Sequence, residues 1–318
     1  MIQLAENRQE KGRELRACVV ETLQELMTED EKVVALEADL GGASGFTKIQ
    51  KTNPDRFVQC GIAEANMVGV AAGLSVTGYK PFLHTFGPFA TRRVFDQIYL
   101  SGAYAGNTIN IYGSDPGFTV GANGGTHTTW EDAALMRMIP GSVVCDAADD
   151  VQLSWIIRAF ADMEGIHYVR ASRKDTRNVY AAGSEFTIGK GNILQSGKDI
   201  LILAAGQLVS EALDAAEALK ADGISAEVID MFTIKPFDKE LLLAEAKEKK
   251  LVVTIENHSI YGGLGSAAAE VMAENGVGIP LKRIGVDERF GQVGTPEFLQ
   301  EEFGLTAEQI KETILGTL

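Results

Sequence analysis

A chain of 318 residues, 45% hydrophobic and 23% charged, has the make-up of a folded protein of about two domains, at ~100–200 residues each. Its formal net charge of −15 argues against a sequence-independent nucleic-acid binder, which carries a basic footprint. Cys18, Cys60 and Cys145 form no C-x-x-C pair, so neither a zinc site nor a disulfide framework is indicated, and reduced thiols in a cytoplasm are the simplest reading. The polar N-terminus lacks a signal-peptide core, and no uninterrupted apolar run reaches ~18 residues, so no membrane span is expected.

In chain order, 13–27 reads as a helix with an apolar face of Leu15, Val19, Val20, Leu23, Leu26 and Met27. Residues 33–36 read as a buried strand feeding Glu37, Asp39 and a Gly-rich loop at 41–45. Residues 57–59 read as a strand, and Gly61 permits a sharp turn before an apolar helix. Glu64 falls in the first turn of that helix and is the sole charged side chain between Arg56 and Lys80. It is either a helix-dipole carboxylate or a functional one, and if buried it needs a partner. Strands follow at 80–84 and 108–112, with Phe86 and Phe89 three apart and a helix expected at 92–99.

Residues 114–129, SDPGFTVGANGGTHTT, have loop chemistry, with a histidine among hydroxyl residues at the end. A loop of this length is a flexible surface segment or a functional one, and its glycines favour close backbone approach to a ligand. A helix at 130–138, a strand at 143–146, a helix at 149–160 and a strand at 167–169 complete an alternation that predicts a parallel sheet covered on both faces. Arg170, Arg173, Lys174 and Arg177 then form a basic cluster, either a solvated linker face or an anion clamp.

A composition shift at 180–184 divides a first domain, 1–182, from a second, 183–318. The second opens on an edge strand at 186–194. It continues with strands at 200–204, 226–230, 251–255 and 280–284, and with helices at 210–221, 239–246, 266–274 and from 296 onward. The fold class is therefore two-domain α/β. Gly262-Gly263-Leu264-Gly265 does not spell the dinucleotide fingerprint, and neither Gly189-Lys190 nor Gly197-Lys198 completes a P-loop.

Together these stretches resemble the C-terminal half of the transketolase family of thiamine diphosphate-dependent enzymes, over 16–318. The resemblance rests on EADL at 37–40, GIAEANMVGVAAGL at 61–74, GYKPF at 78–82, TFGPFATRRVFDQI at 85–98, GFTVGANGGTH at 117–127, ALMRMIPG at 134–141, TIGKG at 187–191 and FTIKPFD at 232–238. It implies a pyrimidine-binding domain followed by the family's C-terminal domain. The form it most resembles is the second subunit of a transketolase split into two chains. The family's Gly-Asp-Gly signature for diphosphate and magnesium (or calcium) does not occur here. The resemblance places that site on an N-terminal partner subunit, with the cofactor between subunits of an α2β2 assembly and no metal ligands in this chain.

The resemblance also implies roles. Glu64 matches the glutamate that bonds a pyrimidine ring nitrogen and activates the cofactor. Phe86 and Phe89 match the aromatics around that ring, with Arg92 as a further contact, and Asp39 and Leu40 match residues lining the cofactor. His127 matches a proton-shuttling histidine at the sugar oxygens, and Arg16 and Arg173 match a clamp for the sugar phosphate. Asn123 stands where an aspartate is usual, Asp115 where a phosphate-binding histidine is common, and Ala43 beside Ser44 where a serine is common. These departures imply ketol transfer on a non-standard sugar, with altered substitution or a different anionic end. The alternatives sharing the fold are the β subunit of a 2-oxoacid dehydrogenase, a deoxyxylulose phosphate synthase-like half, and a non-catalytic scaffold.

Overall fold

The computed structural model describes residues 2–318. The strands are β1 (Val33–Glu37), β2 (Phe57–Gln59), β3 (Lys80–Phe86), β4 (Ile109–Ser114), β5 (Val143–Asp146), β6 (Ile166–Ala171), β7 (Asn192–Gln195), β8 (Ile200–Ala204), β9 (Ala226–Asp230), β10 (Thr233–Lys235), β11 (Leu251–Ser259) and β12 (Leu281–Val286). They build a seven-stranded sheet of order β10-β5-β6-β4-β3-β1-β2 and a five-stranded sheet of order β12-β11-β8-β9-β7. All pairings are parallel except those of β10 with β5 and β7 with β9. β1, β4 and β8 are buried along their whole length, as strands of a sheet covered on both faces are.

The Leu15–Glu29 and Asp150–Ala161 helices pack on one face of the first sheet. On the other face, Met67, Val68, Ala71 and Ala72 of the Glu64–Val76 helix pack against Leu36, Leu83 and Ile111. That helix is apolar nearly all round, so it cannot bury every face on one sheet. Ile62 just before it and Val76 at its end are 77% and 73% exposed.

Several local expectations change. Residues 41–45 form a helical turn, Gly41–Ser44, closed by Gly45 in the left-handed region. The helix expected at 92–99 is broken into a 3-10 turn, a single α turn and a π-helical stretch at Ile98–Tyr104. The edge strand at 186–194 shrinks to β7. β10, which joins the first sheet from within the second half of the chain, has only three residues and too short a pattern to read.

The two halves are joined by buried charge. Arg170 on β6 is fully buried and donates to Asp132 (2.8 Å), Asp146 (2.8 Å) and the carbonyl of Asn257 on β11 (2.9 Å). Burial pushes Asp132 up, but Arg170 and His258 hold its carboxyl below the usual range. Burial prevails at Asp146, pushed up to about 6, and at Glu256, pushed up to about 7. A second joint is Asp230, which accepts from Gln152 (2.6 Å) and from the Tyr180 hydroxyl (2.5 Å).

Burial pushes the Asp230 carboxyl up to about 7, against ~3.9 in an unfolded chain. The fold therefore holds this proton more tightly than the unfolded chain does. The stabilisation is full below pH ~4 and is lost as the pH rises through about 7. Asn does not titrate, so Asp230→Asn should gain stability relative to the wild type as the pH is raised from about 4.5 to 7.5. Denaturant midpoints across that range measure the difference; a constant offset contradicts it.

Candidate active site

Parallel pairing decides where the candidate residues fall. Glu37 on β1 lies opposite His84 on β3, and Phe86 on β3 lies opposite Ser114 on β4. Asp39 and Leu40 follow β1, and Glu64 follows β2. Phe86 closes β3 with Phe89 beyond it, Asp115 to His127 follow β4, and Arg173 follows β6. All therefore emerge at the carboxyl edge of one sheet. β1 sits between β2 and β3, so the chain leaves it to one side and then crosses back to the other. Such a switch point opens the crevice in which α/β sheets bind ligands.

A row of contacts runs along this edge. Glu64 is buried, and its Oε1 accepts from Arg93 Nη1 at 2.5 Å. The Arg93 guanidinium lies over the Phe89 ring, 3.8 Å from its centroid. The Phe86 and Phe89 centroids are 6.2 Å apart, edge to face, and the His127 ring stands edge-on to both, at 5.6 and 5.2 Å. The Arg173 guanidinium lies 4.6 Å from the Phe86 centroid and forms an ion pair with Asp115. Arg16 adjoins it, its N–H donating to the Arg173 carbonyl at 3.2 Å. His127 is half-buried, and its Nδ1 is 2.9 Å from the Thr126 hydroxyl.

Asp115 is buried, with the Arg173 backbone N–H donating to it at 2.8 Å. Burial pushes its carboxyl up, and Arg173 offsets part of that rise. Asp115 thus faces Arg173, and the repulsion that a free carboxylate there would exert on an anion is compensated. Asp39 and Asn123 are exposed and Leu40 is half-buried. Asp39 adopts a left-handed φ of 61°, and its N–H shares Gln59 Oε1 with the N–H of Gly61, both at 2.9 Å. Gln59 therefore ties the loop after β1 to the turn before Glu64.

Arg92 does not join the row. Its side chain is 54% exposed and donates to Glu131 at 2.7 Å. Arg93 takes the place at the aromatic pair, because the break in the helix sets which of two neighbouring arginines faces Glu64. The glycines at 117–125 also need correction. A Cβ on Gly117 would lie 1.9 Å from Asn257 Oδ1, one on Gly124 2.6 Å from Val293, and one on Gly125 2.4 Å from the Gly291 carbonyl. The close approach they permit is to the second half of the chain, which backs the loop carrying Asn123 and His127.

The family model for the transketolase pyrimidine-binding domain matches 11–179, and that for the transketolase C-terminal domain matches 189–310. The chain is 47% identical to the 6-deoxy-6-sulfo-D-fructose transketolase subunit SqwH of Clostridium sp. MSTE9, over 93% of this chain and 92% of that one. It is 35% identical to an apulose-4-phosphate transketolase subunit of Phocaeicola vulgatus, over 94% and 96%. A solved split-gene transketolase, described as an inactive beta4 tetramer, superposes with a TM-score of 0.87 at 39% identity, covering 96% of this chain and 98% of that one. The chain belongs to the transketolase family.

Arg93 neutralises a carboxylate that the helix otherwise buries among apolar groups. Arg93→Met should cost about 1–2 kcal/mol, tempered by the guanidinium's exposure to water. Adding Glu64→Gln should recover most of the loss, because an amide needs no counter-charge. A double-mutant cycle by chemical denaturation checks this; strictly additive effects contradict it.

Proposed function

We propose that this chain is the second subunit of a two-chain transketolase that moves a two-carbon ketol unit from a ketose to an aldose, acting on a sugar with a non-standard anionic end. The observation that carries this reading is the unbroken row Glu64–Arg93–Phe89–His127–Phe86–Arg173 at the switch-point edge. A carboxylate at one end suits a pyrimidine N–H, and an arginine pair at the other suits an anion.

The residues present fit thiamine diphosphate. Two phenyl rings lie near a buried carboxylate, joined to it through Arg93, and among the described residues Glu64 Oε2 takes no hydrogen bond, so it is available to accept one. Glu64 would hold the pyrimidine ring, Phe86 and Phe89 would orient it, and Asp39 and Leu40 would flank it. When bound, the cofactor supplies the carbanion chemistry of the transfer. His127 holds or moves a proton at a sugar oxygen, for which an imidazole, with one ring nitrogen to donate and one to accept, is suited. Asn123, an amide able to donate and accept, contacts a sugar hydroxyl. Arg16 and Arg173, balanced by Asp115, hold the anionic end.

A partner subunit supplies the diphosphate and magnesium (or calcium) site in an α2β2 assembly. Two relatives named as subunits support this, as do the exposed apolar side chains of Ile62, Val76, Tyr99, Leu100 and Tyr104 on and beside two helices that touch. Unpaired cysteines fit a reducing cytoplasm. The sulfonated and apulose sugars in the relatives' names support a non-standard substrate.

In the reconstituted complex, ketose donors ending in sulfonate, phosphate or a neutral group distinguish the substrate. The reading predicts preference for a non-standard anionic ketose; activity on xylulose 5-phosphate and ribose 5-phosphate equal to that of a conventional transketolase contradicts it. Glu64→Gln should lower kcat by about 10²-fold or more. Arg173→Met should raise KM for the anionic donor about tenfold, with a smaller change in kcat.

A further inference from the structure

Glu37 and His84 are fully buried polar groups that the reaction itself does not use. Glu37 Oε2 accepts from the Ser44 hydroxyl at 2.8 Å, and its two carboxylate oxygens lie 3.2 and 3.3 Å from His84 Nδ1. His84 Nε2 is 2.9 Å from the Ser114 hydroxyl. The imidazole is packed between Phe46 and Tyr112, at centroid distances of 5.4 and 5.0 Å. The chain Ser44–Glu37–His84–Ser114 thus spans the switch point between β1 and β3, beneath the site.

Each end reaches one arm of the arginine pair. Ser44 closes the Gly41–Ser44 turn, and the neighbouring Ala43 carbonyl accepts from Arg16 Nη1 at 3.3 Å. Ser114 precedes Asp115, which holds Arg173 through both backbone and side chain. The N–H of Arg16 donates to the Arg173 carbonyl at 3.2 Å and closes the circuit.

We propose that Glu37 and His84 are positioning residues for anion recognition: their hydrogen-bonded chain fixes the two turns that set the spacing of Arg16 and Arg173, and so tunes the site to the anionic end of the sugar. This rests on the functional reading above. Buried polar chains that are fully satisfied hold one geometry, because every alternative leaves a polar group without a partner. Glu64, Arg93 and Phe89 are outside the circuit; on the Ser44 arm the turn adjoins Leu40, whose carbonyl accepts from the Ser44 N–H at 3.0 Å.

The test uses the complex with its partner subunit and removes single hydroxyls, leaving the buried Glu37–His84 pair in place. Ser44→Ala and Ser114→Ala should each raise KM for the anionic ketose, and the inhibition constant of inorganic sulfate, by about 2- to 10-fold, the range one net hydrogen bond commands. Turnover of erythrulose, an uncharged ketose, at saturating cofactor should stay within about twofold. Ser44→Thr and Ser114→Thr, which keep the hydroxyl, should recover most of the loss. If the wild-type complex transfers no ketol unit, the functional reading falls and this inference with it. If it does transfer, unchanged constants, or equal losses on charged and uncharged donors, overturn this inference alone.

Discussion

The site depends on one constraint, the parallel pairing of β1, β3 and β4. Parallel strands send their carboxyl ends to the same edge, so loops distant in sequence emerge side by side. Glu37 opposite His84 and Phe86 opposite Ser114 set the spacing of everything above them. A one-residue slip in a strand exchanges its two faces and would turn Phe86 and His84 together to the other face of the sheet. Burial along the full length of β1 and β4 is what fixes that register.

Charge along the edge is balanced locally. The protein carries a net −15, yet three arginines stand at the candidate site. Arg93 is paired with Glu64, Arg173 with Asp115 and Arg16 with Glu14. An anion entering such a site would share or exchange a carboxylate partner rather than meet a bare cation. The second half of the chain adds rigidity from behind. Asn257 accepts from the Phe118 N–H and donates to the Pro116 carbonyl, at 3.1 and 3.0 Å, and so anchors the loop carrying Asn123 and His127.

Much of this is legible in the sequence. Glu64 stands out as a lone charge in an apolar helix, and the structure gives it the partner its burial demands. The alternation of strands and helices announces both sheets. Features set by tertiary contact are less legible. Nothing in Arg92-Arg93 says which side chain faces Glu64, because the answer lies in a broken helix whose phase periodicity cannot track. The glycines of the long loop signal close approach without saying to what; they meet Asn257, Gly291 and Val293, more than a hundred residues away. β10 crosses to the first sheet on three residues, fewer than any pattern needs. Glu37 reads as an acidic strand end before a loop and His84 as an ordinary strand residue, and the register places them face to face.

The cofactor site proposed for this chain is shared with a partner subunit. A calorimetric titration of thiamine diphosphate with magnesium tests it most directly, into this chain alone and then into the chain with its partner. Binding with the partner present, and none without it, is the predicted result. Equally tight binding to the chain alone would contradict the shared site.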